Sequence, residues 1–175
     1  MGILVRTIAN KNLRRELLKM MKEDQKMRKS SAYDASVDKR NTARMKKIVR
    51  KYDWPTYDLV GKDGAFAAWL LVQHADYDLA FQKKCLHLLE EAVRQGQADK
   101  TNLAYLTDRV LVHEGKKQIY GTQFYSSESG KFGPRPIKDR PRLNKRRKSA
   151  GLEPFRQYER TMRKLQRKSS VTKGI

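Results

Sequence analysis

His74, Asp78 and Gln82 recur at intervals of four within VQHADYDLAFQ. Read as one helix, that spacing puts the three side chains on a single face. A histidine one turn from an aspartate is the pairing a general base requires, because the carboxylate selects the ring tautomer or holds the protonated ring. Gln73 and Asp76 fall on another side of the same helix. More polar groups stand in apolar surroundings elsewhere. Asp24 and Arg28 form an i, i+4 pair on an amphipathic segment, with Gln25 beside them. Tyr105, Asp108 and Arg109 cluster further on, and Arg109 offers a fork of donors to a carboxylate or phosphate. In KKQIYGTQFY, Gln118, Tyr120 and Thr122 alternate onto one face of an expected strand, with Gly121 and Gln123 on the other.

These residues define an expected polar pocket. His74, Asp78, Asp24, Arg109 and Tyr120 are its candidate catalytic residues, and Gln25, Arg28, Gln73, Asp76, Asp108, Gln118 and Gln123 its candidate ligand contacts. The competing reading is that the same groups form a structural network, because buried polar atoms need partners far more often than substrates. Metal binding has no support: no HExxH is present, the histidines are His74, His87 and His113, and there is one cysteine. GKDG is too short and wrongly placed for a phosphate loop, and no cofactor is expected.

The elements that must position this pocket read as helices. Leu13, Leu17, Met20 and Met27 mark an amphipathic helix over residues 11–29. Asn41, Met45, Ile48 and Tyr52 mark a second, which stops near Trp54 because Pro55 cannot continue it. The glycines of LVGKDG predict a turn, and Asp63 a cap for one long central helix over Ala65–Arg94, ended by Gly96. Asp99 caps a fourth helix to about Glu114. A small β element is expected at 117–125, then an extended surface segment, then a helix from Pro154 whose stripe is Phe155, Tyr158, Met162 and Leu165. The expected fold is mainly α, a compact helical domain around the buried central helix.

The pieces resemble, in order, an uncharacterised bacterial family. They are Asp24, Gln25 and Arg28; Trp54 and Pro55; Gln73, His74, Ala75 and Asp76; Asp108 and Arg109; Gln118, Tyr120, Gly121, Thr122 and Gln123; and the later RRKSAGLEPFRQY. The resemblance implies a shared pocket and carries no activity with it.

Charge divides the chain differently. The net charge is +21, and residues 1–53 and 131–175 hold the excess while 54–130 is near neutral. Three regions are expected: basic N-terminal helices, a near-neutral core with the pocket, and a basic C-terminal extension. Polybasic flanks release counterions from polyanions, so non-specific nucleic acid is the expected partner, through Arg142, Lys145, Arg146, Arg147, Lys148, Arg160, Arg163 and Lys164. No base-reading motif is present. No apolar run reaches the ~20 residues of a membrane span, the start lacks a secretory pattern, and a single cysteine fits a reducing compartment, so a cytoplasmic location is expected. Together these readings point to a small nucleic-acid-associated enzyme, a hydrolase or nuclease. The alternatives are a non-catalytic RNA- or DNA-binding module and a small-ligand domain.

Overall fold

Leu13, Leu17, Met20 and Met27 are all buried on one face of the first helix, α1 (Lys11–Lys29), and Asp24 is buried with them. Asn10 caps it by accepting from the Leu13 amide at 2.9 Å. The computed structural model describes residues 8–30 and 33–172. The reading made of the chain's first seven residues lies outside them. Seven helices and a two-stranded antiparallel sheet are described, so the protein is mainly helical. The chain divides into two compact units, Met1–Asn102 and Leu103–Ile175.

In the first unit, α2 (Ala35–Tyr52) starts at the Asp34 cap and stops just before Trp54 and Pro55. Helix α1 packs chiefly on α3 (Tyr57–Gln73), whose buried face is built from small residues, Gly64, Ala65, Ala67 and Ala68, beside Val60 and Leu71. Helix α3 begins at the Thr56 cap, earlier than expected, and kinks at Gly61. There φ is +74°, and an added Cβ would lie 2.9 Å from Ile8 Cδ1, so a side chain is excluded by both conformation and space. Asp63 accepts from the Gly64 amide and is held by Arg14, both at 2.9 Å.

The long central helix expected over Ala65–Arg94 is two helices. Helix α3 ends at Gln73 with His74 as its C-cap, and α4 (Leu79–Arg94) starts from Asp78, which accepts from the Phe81 amide at 3.0 Å. Gln82 closes the break. Its amide donates to the Val72 and Gln73 carbonyls at 3.1 and 3.3 Å, satisfying acceptors that a helix end leaves open. Cys85 is packed in α4, and burial pushes its thiol up to about 12, so it is a space-filling residue.

The unit boundary falls in the first turn of α5 (Lys100–His113). In the second unit, β1 (Phe124–Ser126) pairs with β2 (Phe132–Pro134). The small β element expected at 117–125 is present in β1, but the strand begins only at Phe124: residues 118–123 form a loop, joined to the rest by an isolated bridge between Gln118 and Ile137. The segment expected to be extended instead contains β2, a 3-10 turn at Arg140–Arg142 and α6 (Leu143–Ser149). Helix α7 (Phe155–Thr172) buries Phe155 and Tyr158 and leaves Leu165 53% exposed, so its apolar stripe is used only over the first turn.

Candidate functional site

Three helix ends of the first unit bring one set of polar groups together: the last turns of α1, the first of α2 and the C-cap of α3. Asp24 is fully buried, and both its oxygens lie close to His74 Nδ1, at 3.0 and 2.9 Å. Gln25 Nε2 donates to it at 3.0 Å, and Arg28 Nε approaches each oxygen at 3.3 Å. Arg28 then reaches Asp38 Oδ1 at 2.6 Å, and the Tyr33 hydroxyl donates to the other oxygen of Asp38. The chain of contacts is thus His74, Asp24, Arg28, Asp38, Tyr33. It runs from a buried carboxylate to a tyrosine that is 63% exposed.

Arg28 Nε also lies 2.9 Å from His74 Nδ1, which admits two assignments of the ring proton. A bare Nδ1 would accept from Arg28 but would set its lone pair against two carboxylate oxygens. The close approach of both oxygens therefore places the proton on Nδ1, donating to Asp24, and directs the Nε2 lone pair away from it. No described residue hydrogen-bonds Nε2, and the ring remains 17% exposed. Burial alone would push the Asp24 carboxyl up. The hydrogen bonds from His74 and Arg28, with the guanidinium charge of Arg28, outweigh it and hold Asp24 below the usual carboxylate range.

Asp78 takes no part in this set. Because the helix breaks after Gln73, Asp78 caps α4 and pairs with Lys46 instead of standing one turn from His74. Gln82 is likewise turned to the break, where it also meets Asp76 Oδ1 at 3.2 Å, and Gln73 is buried. The partner of His74 is Asp24, fifty residues away in sequence. Asp38 and Tyr33 were not singled out from the sequence. The available signal was that Asp38, on the face of α2 with Asn41, Thr42 and Met45, is a buried acid in a first turn.

The second unit holds a different arrangement. Asp108 is fully buried and accepts from the amides of Ile119, Tyr120 and Thr122 at 2.7, 2.9 and 2.9 Å, and from the Thr122 hydroxyl at 3.0 Å. Burial pushes its carboxyl up, and these four bonds only partly offset that. The carbonyls of the same loop are taken by side chains: Ile119 by Arg146 Nε at 2.9 Å, Tyr120 by Arg147 Nη1 at 2.7 Å, and Thr122 by the Tyr158 hydroxyl at 3.2 Å. Gln118 spans the loop, accepting from the Gln123 amide at 2.8 Å and donating to the Gln123 carbonyl at 3.0 Å. At Gly121, φ is +71° and an added Cβ would strike Phe155 at 2.8 Å.

This loop accounts for several candidates in another way. Asp108, Gln118 and the backbone of Tyr120 and Gln123 satisfy one another, and Arg109 reaches Gln123 Oε1 at 3.4 Å. Arg147, expected on a nucleic-acid surface, is 0% exposed, with its guanidinium 4.8 Å from the Tyr158 ring centroid, and so cannot touch a phosphate. Arg146 is half-buried and spent on carbonyls. Arg142, Lys145, Lys148, Arg160, Arg163 and Lys164 are exposed. Among the described residues no group of His, Cys, Asp and Glu could hold a metal, and no helix is long and apolar enough to cross a membrane.

A mainly helical protein with a His–Asp pair of which only the imidazole reaches solvent is a class that many activities share. The chain belongs to DUF6624, a family of unknown function, which it matches over residues 3–167. No curated protein and no solved structure matches it.

Proposed function

We propose that Asp24 and His74 form the acid–base centre of a small hydrolase. The observation that carries this is the placement of both Asp24 oxygens within 3.0 Å of Nδ1 on a ring that keeps contact with solvent. An ionised Asp24 fixes the tautomer with Nε2 bare, so Nε2 takes a proton from a water attacking the substrate and later returns it to the leaving group. The carboxylate stabilises the imidazolium formed in between. Arg28 positions Asp24 and ties it to Asp38 and Tyr33, acting through them and not on the substrate.

Local charge narrows the substrate. Asp24 and Asp38 face Arg28 as the guanidinium of the cluster, and the charge of Asp76 is felt at Tyr33. A phosphodiester entering there would meet an excess of carboxylate, so the bond cleaved belongs to a neutral or cationic group such as an ester or amide, and the nuclease form of the expectation loses its support. A panel of aryl esters and peptide amides tests this, with labelled oligonucleotides alongside. His74→Ala and Asp24→Asn should each lower turnover by about 10²–10⁴-fold. Full activity in His74→Ala would refute the assignment, and cleavage of oligonucleotides alone would restore the nuclease.

A second reading has its own support. The exposed cations Arg142, Lys145, Lys148, Arg160 and Lys164 of the second unit suit a polyanion, and binding through them would weaken steeply with added salt.

A further inference from the structure

The β-hairpin and α7 of the second unit border a cleft of about 410 Å³, within the ~300–1,000 Å³ common for ligand sites. Its lining includes Tyr125, Lys131, Phe132, Gly133, Arg140 and Arg163. Tyr125 and Gly133 are register partners across the sheet, so the tyrosine ring stands beside bare backbone where a cross-strand side chain would normally lie. Nothing in the fold demands glycine there. Gly133 has no positive φ, and an added Cβ would meet no atom within 4 Å. The absence of a side chain therefore serves to keep the shelf beside Tyr125 open.

The walls supply the rest of a recognition site. Arg135 stacks on Tyr125 with its guanidinium 4.3 Å from the ring centroid, stiffening it. Arg163 is held in place, donating to the Phe132 carbonyl at 2.9 Å and to Glu159 at 2.7 Å. Lys131, Arg140 and Arg163 thus surround the shelf, and the carboxylate in the lining, Glu159, is engaged by Arg163. An open aromatic surface ringed by cations fits a planar, sequence-tolerant base carrying phosphates on its flanks.

We propose that this cleft binds an unpaired nucleotide of a single-stranded nucleic acid, its base against Tyr125 over Gly133 and its phosphates on Lys131 and Arg140, with Arg163, paired to Glu159, forming the wall beside them. The proposal rests on the polyanion reading of the second unit and narrows it to one subsite, independently of the chemistry at His74.

The test is fluorescence anisotropy of the full chain with labelled oligo-U RNA, oligo-dT DNA and a duplex of equal length, across a salt series. Wild type should bind the single strands more tightly than the duplex. Gly133→Val fills the shelf and should weaken single-strand binding at least tenfold while its melting curve stays that of wild type. Tyr125→Ser should do the same without adding bulk, and so reads the site even if the valine disturbs the hairpin. Lys131→Gln should reduce the salt slope by about one charge. Single-strand binding untouched by both Gly133→Val and Tyr125→Ser overturns the cleft but keeps the polyanion reading, and directs the search to the first unit's groove lined by Lys46, Lys47, Arg50 and Lys84. A preference for the duplex also overturns the cleft, and no binding by wild type overturns both readings. Tighter binding of RNA than DNA would place the 2′-hydroxyl in the site.

Discussion

Asp24 and Asp108 are both 0% exposed, and the fold uses them in opposite ways. Asp108 is surrounded by amides that cannot change protonation or move without unmaking the loop they belong to. Asp24 is surrounded by side chains, one of which carries its polarity to solvent through an imidazole and another through a guanidinium to an exposed tyrosine. Burial therefore does not separate structural from chemical carboxylates. What separates them is whether the partners are fixed backbone or titratable groups that reach the surface.

The strongest way to break this comparison is Asp108→Ala. It strands the buried amide and hydroxyl of Thr122 and the half-buried amides of Ile119 and Tyr120, each worth ~1–3 kcal/mol, so the second unit should lose about 4 kcal/mol or more. Both tryptophans, Trp54 and Trp69, lie in the first unit, so amide exchange in 103–172 is the readout that reports the loss. A mild effect on that exchange would mean the loop is not held by Asp108.

Acid titration sharpens the contrast because the two carboxyls shift in opposite directions. The folded value of Asp24 is depressed, so its contribution is complete above the unfolded carboxylate value near ~4 and is lost as pH falls through the lower folded value. The folded value of Asp108 is raised, so its ionisation costs stability as pH rises through that value, and acid relieves the cost. Asp24→Asn should accordingly flatten the acid limb of stability read by tryptophan fluorescence. An unchanged limb would show that Asp24 is not ionised in the fold.

The smallest effect belongs to His74→Ala. Asp24 keeps Gln25 and Arg28, and the ring is already partly in water, so denaturant unfolding should shift by only about 1–2 kcal/mol. A cost near that of Asp108→Ala would turn His74 into a structural partner and remove the basis of the acid–base assignment.

Much of the helical frame was legible, because periodicity and capping are local. Helix α1 follows its Leu and Met stripe, α2 stops before Trp54 and Pro55, and α5 starts after Asp99 and ends before Gly115. The break between α3 and α4 was hidden, since no glycine or proline marks it and the apolar pattern runs through. The mark was there in Asp78, a good N-cap residue, but an aspartate inside an apolar stretch reads equally well as chemistry. The β element expected at 117–125 forms only from Phe124 onward, in β1, for a related reason. Its β-forming residues and alternation were real, but Asp108 captures the amides that a strand would have paired.

By itself, then, the sequence determined which residues are polar in apolar company, where most helices begin and end, and that the cations gather at the two flanks, because composition, period and caps act over a few residues. Only the tertiary structure decided which acid meets His74 and which arginines reach solvent. A hydrogen bond between residues fifty positions apart depends on how α1 lies against α3, and a guanidinium such as that of Arg147 is buried because the carbonyls of a distant loop and the ring of Tyr158 receive it. Those partnerships are set by packing, and no local spacing encodes them.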